Sequence, residues 1–304
     1  MTTKTKTNAS PPGPARAWLM AIRVPTLPAA VVPVLVGSAT ALGDKQFNPL
    51  AFLAALLASL LIQIGTNLAN DYFDHQKGAD TADRLGPTRV TQSGLIPPAT
   101  VRNIMLATFA LAALCGAYLI YVGGWPILAI GLLSIASGIL YTGGPFPLGY
   151  NGLGDIFTFI FFGVIAVVGT DYLHTLQVRP VAVLASLPVA MLVTAIIVVN
   201  NLRDAPTDKV AGKRTLAVIF GEGFARSEYA LLVLGAYLTA PLTWMWGGAS
   251  PFVLLCWLSM PLALPLLDRV GKQRGRPLNA ALAGTGRLHM VFGALLALGL
   301  LLGR

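Results

Sequence analysis

Charge is the scarcest property of this chain: Asp, Glu, Lys and Arg make up 11% of its 304 residues, less than half of the roughly 25% usual in a soluble domain. With 55% hydrophobic residues and a mean hydropathy of +0.72, it has too little polar surface for a water-facing globule and belongs in lipid. Cysteine is nearly absent. Cys115 and Cys256 stand singly inside apolar runs, which excludes a disulfide framework, a cysteine metal cluster and a CxxC redox motif. His75, His174 and His289 are scattered over different segments, so no histidine metal site or His-based triad can be drawn from them. The polar, Thr- and Pro-rich start of the chain is not followed closely by a short apolar region with a small-residue cleavage site, so it does not read as a signal peptide. Residues 1–14 are expected to form a disordered tail, and residues 15–304 a single transmembrane domain.

What the chain has in abundance is apolar length. A spanning helix needs about 20 largely apolar residues. With Gly, Pro and charge as punctuation, such stretches fall at residues 17–42, 49–69, 101–122, 125–143, 152–170, 180–201, 226–246, 250–268 and 284–303. The expected fold is an all-α integral membrane protein of nine transmembrane helices. With the N-terminus inside, every one of the 21 Lys and Arg residues except Lys45, Arg179 and Arg304 lies on the cytoplasmic side, as the positive-inside rule requires. The net charge of +9 then orients helices and meets anionic lipid heads, and no nucleic-acid reader is visible.

Two inner connections, residues 70–100 and 202–225, are much longer than outer ones such as Val122 to Trp125, and long loops of unusual composition are usually functional. The first follows Asn67, Asn70, Asp71 and Asp74; the second follows Asn200, Asn201, Arg203, Asp204 and Asp208. Asn-x-x-x-Asp at the inner ends of spans two and six suggests a parallel internal repeat. At helical spacing Asn67, Asp71 and Asp74 are expected on one face. Pro206, which removes a donor and disfavours a helical residue before it, is expected to kink or restart the second helix between Asp204 and Asp208. Asn and Asp are common helix caps, but two such clusters on one membrane edge are costly unless they hold something cationic. Mg²⁺ takes one or two carboxylates and bridges to phosphate oxygens, so facing clusters suit a diphosphate. Lys77, Arg84, Arg89, Arg203, Lys213 and Arg214 stand beside them as phosphate-neutralising cations. The inner loop from Tyr141 to Asp155 lacks Lys and Arg; Tyr141, Phe146 and Tyr150 offer ring faces that would stabilise a cation or anchor the chain at the interface.

At these residues the sequence resembles the UbiA superfamily of membrane prenyltransferases, whose first motif reads Asn-Asp-x-x-Asp-x-x-x-Asp and whose second supplies Asp-x-x-x-Asp. Asn70, Asp71 and Asp74 match the first; its last position falls at Gly78, with Asp80 two residues on. The strings Asn-Asp-Tyr-Phe-Asp at 70–74, Arg-Val-Thr-Gln-Ser-Gly-Leu-Ile at 89–96 and Asn-Asn-Leu-Arg-Asp at 200–204 through Ala-Gly-Lys-Arg-Thr-Leu-Ala-Val resemble the branch that prenylates 1,4-dihydroxy-2-naphthoate. Arg23, in Arg-Val-Pro-Thr-Leu-Pro, fits that branch too.

The resemblance implies a UbiA-type bundle around a central cavity in the cell (inner) membrane, opening to the cytoplasm. It implies transfer from a polyprenyl diphosphate to 1,4-dihydroxy-2-naphthoate with Mg²⁺ as cofactor. Asp71, Asp74, Asp204 and Asp208 carry over as the catalytic metal ligands. Asn67, Asn70, Asn200, Arg23, Arg89, Lys213, Arg214, Tyr141 and Tyr150 are the candidate substrate contacts, with Arg23 and Arg89 the candidates for the acceptor's carboxylate. Departure of the diphosphate leaves an allylic cation; the naphthoate ring attacks it at the carboxyl-bearing carbon, and CO₂ and the acid's proton leave. A transferase for another aromatic acceptor, such as 4-hydroxybenzoate or homogentisate, would share the diphosphate site. A cation-coupled transporter would also carry carboxylates and repeats, normally near the bilayer midplane.

Overall fold

The structure is a computed structural model that describes residues 12–43, 46–79 and 85–302, so residues 1–11 of the expected tail, with Lys45, Asp80 and Arg84, lie outside the described residues. Among the described residues the chain is helical, with no strand. Its principal helices are α1 (Pro14–Ile22), α2 (Pro28–Gly43), α3 (Pro49–Gln76), α4 (Pro98–Gly123), α5 (Trp125–Leu140), α6 (Gly154–Thr175), α7 (Pro180–Val210), α8 (Gly221–Met245), α9 (Pro251–Lys272) and α10 (Leu278–Leu302). Proline opens α2, α3, α4, α7 and α9, where its missing N–H costs nothing. Asn48 caps α3 by accepting the Ala51 N–H at 3.0 Å.

Among the described residues the nine expected apolar stretches fall largely on helices, residues 17–42 on two of them, α1 and α2. Among the described residues six helices are long and apolar enough to cross a membrane, and the pair Pro14–Thr26 with Pro28–Leu42, bent by 47°, makes a seventh if taken as one span. The chain is a multi-pass membrane protein. Large apolar side chains such as Leu114, Leu231 and Leu238 are exposed, which only a lipid environment satisfies.

The helices pack in two groups that share walls. Around α7 lie α2, α6, α8 and α10, with α9 packed on α8 and α10, joined by a core that includes Val32, Leu192, Val199, Tyr229 and Phe292. On the other side α3 packs on α4, with α1 and the segment after α3 closing one end through Ala21, Leu68, Val90 and Phe109. Without a hydrophobic drive between helices in lipid, close approach through small residues does the joining. A Cβ on Gly163 of α6 would overlap Ala190 of α7, and one on Gly293 of α10 would overlap Val32 of α2.

Two local features place the site. Residues Thr158–Ile165 of α6 form a wide π-helical stretch, a distortion frequent at functional sites, and Thr158 and Phe162 from it line the central cavity. The expected break at Pro206 does not occur: α7 runs unbroken through it to Val210. Pro206 has no N–H to offer the Leu202 carbonyl one turn back, and Thr207 Oγ1 donates to the Asp204 carbonyl at 2.9 Å.

Candidate active site

The polar face of α3 is set by helical pitch. At about 100° per residue, Gln63, Thr66, Asn67, Asn70 and Asp74 fall within one sector, and all five line a cavity of about 200 Å³. Asp71 is rotated out of that sector, and it is not among the lining residues. It is 1% exposed, and its two carboxylate oxygens accept the backbone N–H groups of Val90 and Thr91, both at 3.2 Å. The expectation that Asn67, Asp71 and Asp74 share a face therefore holds for Asn67 and Asp74 only. Asp71 pins the segment after α3 instead of facing the cavity as a metal ligand.

From the opposite wall α7 contributes Asn200, Asn201, Asp204, Thr207 and Asp208. Because the helix is unbroken, Asp204 and Asp208 lie one turn apart on the cavity side. The repeat suggested by the sequence is thus best aligned as Asn70-x-x-x-Asp74 with Asn200-x-x-x-Asp204, and Gly78 stands where the second copy has Asp208.

Every carboxylate here meets a cation of the chain. Asp74, 1% exposed, accepts from Arg89 Nη2 at 3.0 Å, Tyr150 Oη at 2.7 Å and Lys213 Nζ at 3.2 Å. Lys213 also lies 4.0 Å from Asp208 Oδ1, so one ammonium sits between carboxylates of α3 and α7. Asp204 is gripped by its neighbour Arg203, whose Nε and Nη2 reach its two oxygens at 2.8 and 2.5 Å. Arg203 itself is 1% exposed and donates to Asn200 and to Asn279 of α10, both at 2.8 Å. Asn279 in turn donates to the Leu85 carbonyl at 3.0 Å. The ring of Tyr150 carries Lys77 and Lys213 at 4.8 and 4.7 Å from its centroid, so its face serves lysines, a cation–π arrangement. Lys77 Nζ also donates to the Thr142 carbonyl at 2.6 Å. Desolvation, with Lys213 adding to it and Asp74 opposing, pulls Lys77 below the ordinary lysine value.

Arg23, Asn67, Asn70, Asp74, Arg89, Tyr141, Tyr150, Asn200, Asp204, Asp208 and Lys213 all line the one cavity. Arg214 does not: its side chain is exposed, and only its backbone N–H is engaged, on the Tyr150 carbonyl at 2.9 Å. Phe146 is also exposed. Asp155 is buried beside Asn201 Nδ2 at 3.4 Å and does not line the cavity. Thr26, Gln63, Thr66, Thr142 and Asn201 line it and were not singled out from the sequence as ligand contacts. Gln63 and Thr66 were open to detection, being polar residues in an apolar span, two turns and one turn before Asn70 respectively.

Ala29 and Phe162 border both this cavity and a second of about 320 Å³ walled by Ala55, Ala112, Gly116, Ile127, Gly131 and Leu173 among others. The first is lined by charge, the second almost wholly by hydrocarbon. Among the described residues no group of three or more His, Cys, Asp or Glu is gathered to hold a metal alone. The donors present are nevertheless hard oxygens, and Lys213 already marks a cation position between two helices. That suits Mg²⁺, which binds through one or two carboxylates and completes its shell with water and phosphate oxygen.

Fold and site together define a helical membrane protein with a charged cavity joined to one walled almost wholly by hydrocarbon. The chain belongs to the UbiA prenyltransferase family, whose model matches residues 30–283. It is 38% identical to the 1,4-dihydroxy-2-naphthoate octaprenyltransferase of Escherichia coli over 92% of this chain and 92% of that one. It is 36% identical to the enzyme of the same name from Bacillus subtilis, over 91% and 89%. A solved UbiA homolog from Archaeoglobus fulgidus bound to DMAPP and Mg²⁺ has the same fold at a TM-score of 0.65, with 15% identity over 93% of this chain and 98% of that one.

Proposed function

We propose that this protein transfers a polyprenyl group from a polyprenyl diphosphate to 1,4-dihydroxy-2-naphthoate, releasing diphosphate and CO₂ and giving demethylmenaquinol. The observation that carries the reading is the junction of a cation-lined cavity with an apolar one at Ala29 and Phe162, in a chain more than a third identical to enzymes named for that acceptor. The bundle has nine spans, with residues 15–304 acting as one domain, and sits in the cell inner membrane with the cavity mouth toward the cytoplasm. The distribution of Lys and Arg supports that orientation.

Asp74, Asp204 and Asp208 would hold Mg²⁺, which, when bound, supplies positive charge to the departing diphosphate. Lys213 and Arg89 take phosphate oxygens as their carboxylates turn to the metal, so charge developing on the leaving group meets cations already in place. Tyr141 and Tyr150 present O–H groups to the same oxygens. The prenyl C1–O bond breaks, its electron pair leaves with the diphosphate, and the allylic cation is held where the apolar cavity excludes water. The ring carbon bearing the ionised carboxylate then bonds to prenyl C1. The electrons of its bond to the carboxylate return to the ring as CO₂ departs.

The test is conversion by the purified protein in detergent with Mg²⁺, using geranylgeranyl diphosphate and dihydroxynaphthoate labelled with ¹³C in the carboxyl group. Prenylated naphthoquinol and ¹³CO₂ in equal amounts are expected. Prenylation of 4-hydroxybenzoate in place of the naphthoate refutes the acceptor, and no transfer to either refutes the function.

A further inference from the structure

α10 carries a cation on its lipid face, well inside the span. Arg287 lies about 14 Å along the helix from Leu278 and is exposed, and its neighbours one turn away on the helix are Ala283, Gly284, Met290 and Val291. It makes no hydrogen bond or ion pair among the described residues. An arginine facing hydrocarbon is costly unless it reaches an anion at the membrane surface. Helix side chains lean toward the N-terminus, so Arg287 extends toward Leu278. That is the charged end of the bundle, where Asn279 holds Arg203 beside Asp204.

α9 brings a second cation to the same place. A Cβ on Gly284 would overlap Leu266, and one on Gly299 would overlap Phe252, so α9 and α10 run antiparallel and in contact. Arg287 is turned about 60° from Gly284, and Arg269 about 60° from Leu266. In antiparallel helices these two turns lead to one side of the seam. Arg269 stands about 4.5 Å beyond Leu266 toward the charged end, and the lean of Arg287 carries its guanidinium toward the same level. The opposite side of the seam is closed by α8, whose Arg226 donates to the Gln273 carbonyl at 2.9 Å. Lys272 and Arg274 are paired with Asp268 and Glu222, whereas Arg269, like Arg287, is exposed and has no such partner among the described residues. Away from the charged end the same side of the seam continues as hydrocarbon. Leu262 lies two turns before Arg269, and Ala294 and Leu298 lie two and three turns beyond Arg287; all three are exposed.

We propose that this seam binds an anionic phospholipid, its phosphate held between Arg269 and Arg287 and one acyl chain lying along Leu262, Ala294 and Leu298. Guanidinium groups meet phosphate oxygens through paired N–H donors, and basic sites between spanning helices suit such headgroups. Neither arginine lines either cavity, so the site is separate from the one where the chemistry is placed.

Native mass spectrometry of the full chain in detergent, titrated with dioleoylphosphatidylglycerol or dioleoylphosphatidylcholine, tests the site. The wild type retains phosphatidylglycerol more tightly than phosphatidylcholine. Arg269→Gln and Arg287→Gln each weaken phosphatidylglycerol about fivefold, whereas Arg102→Gln, which removes an exposed cation of α4, leaves it unchanged. Ala294→Phe obstructs the hydrocarbon side and weakens phosphatidylglycerol with every charge intact. Glycerol 1-phosphate, which has the anion without the chains, does not displace the lipid. Equal affinity for the two lipids in the wild type overturns the proposal in favour of ordinary surrounding lipid. A loss in Arg102→Gln equal to that in the seam variants overturns it in favour of diffuse surface charge, and displacement by glycerol 1-phosphate in favour of a free-phosphate site.

Discussion

Asp71 and Asp74 are three residues apart in one motif, and Asp→Asn at each separates their work. Asp71 accepts the N–H groups of Val90 and Thr91, each at 3.2 Å. A hydrogen bond to a charged group contributes about 1.5–3 kcal/mol. Asparagine is neutral and keeps one acceptor oxygen, so one bond is lost and an amide N–H₂ is turned against a backbone N–H. A loss of about 2–3 kcal/mol lets the 88–96 segment detach roughly 30- to 140-fold more often. Hydrogen–deuterium exchange of the Val90 and Thr91 amides in detergent reads that factor directly, with prenyl transfer measured on the same sample. Asp71→Asn accelerates exchange and slows transfer without abolishing it, because Arg89, Lys213 and Tyr150 still converge on Asp74. Asp74→Asn removes the charge at that convergence, and transfer falls to background even though exchange at Val90 and Thr91 also rises as Arg89 of the same segment loses its ion pair. An Asp71→Asn protein with unaltered exchange and no transfer would make Asp71 a ligand in its own right and refute this placement.

Arg203→Met strands the Asp204 carboxylate, 7% exposed, together with Asn200 and Asn279. Breaking a buried pair on one side costs about 3–5 kcal/mol, read as a lower thermal unfolding midpoint in detergent, and an unchanged midpoint contradicts it. Gly131 lines the apolar cavity, and a Cβ there meets nothing within 4 Å. Gly131→Phe should therefore lower kcat/KM for geranylgeranyl diphosphate by on the order of tenfold while sparing dimethylallyl diphosphate. Because Lys77 is held below the ordinary lysine value, its ammonium is present at low pH and is lost as pH rises through that lowered value. Diphosphate affinity should then fall on the alkaline side earlier in the wild type than in Lys77→Arg, and coincident profiles would exclude Lys77 from the anion's field.

How much of this was legible in the sequence differs by residue. Hydropathy located the long apolar helices, because lipid imposes one simple demand on a span, but it merged α1 and α2 into one stretch. The Asn and Asp residues beside the two long loops marked side chains that line the cavity, Asn67, Asn70, Asp74, Asn200, Asp204 and Asp208 among them. The face of α3 was misjudged by including Asp71, because i, i+4 and i+7 neighbours share a broad sector and only the distant partners Val90 and Thr91 settle which side of it is used. Pro206 gave a false break, since the penalty for a proline in a helix is judged locally while α7 is enclosed by α6, α8 and α10. Gln63 and Thr66 were visible as polar residues in an apolar span. Arg203 was read as a phosphate contact by its charge alone; its partner Asn279 lies in another helix, beyond the reach of any local pattern.

The pairing of every cavity carboxylate with a cation of the chain bears on why a divalent ion should enter with the substrate. Asp74, Asp204 and Asp208 stand against Arg23, Arg89, Arg203 and Lys213, so the wall is close to neutral before anything binds. A terminal phosphoryl group carries about 1.5–2 negative charges; the second phosphoryl of a prenyl diphosphate and the acceptor carboxylate each add one. No rearrangement of existing pairs neutralises that much added anion, because each cation released to a phosphate leaves a buried carboxylate uncompensated. A divalent cation held by Asp74 and Asp208 would resolve the conflict, because the Lys213 ammonium would then be free for the phosphate. On that reasoning metal affinity measured without the diphosphate should be far weaker than with it, and equal affinities would refute it.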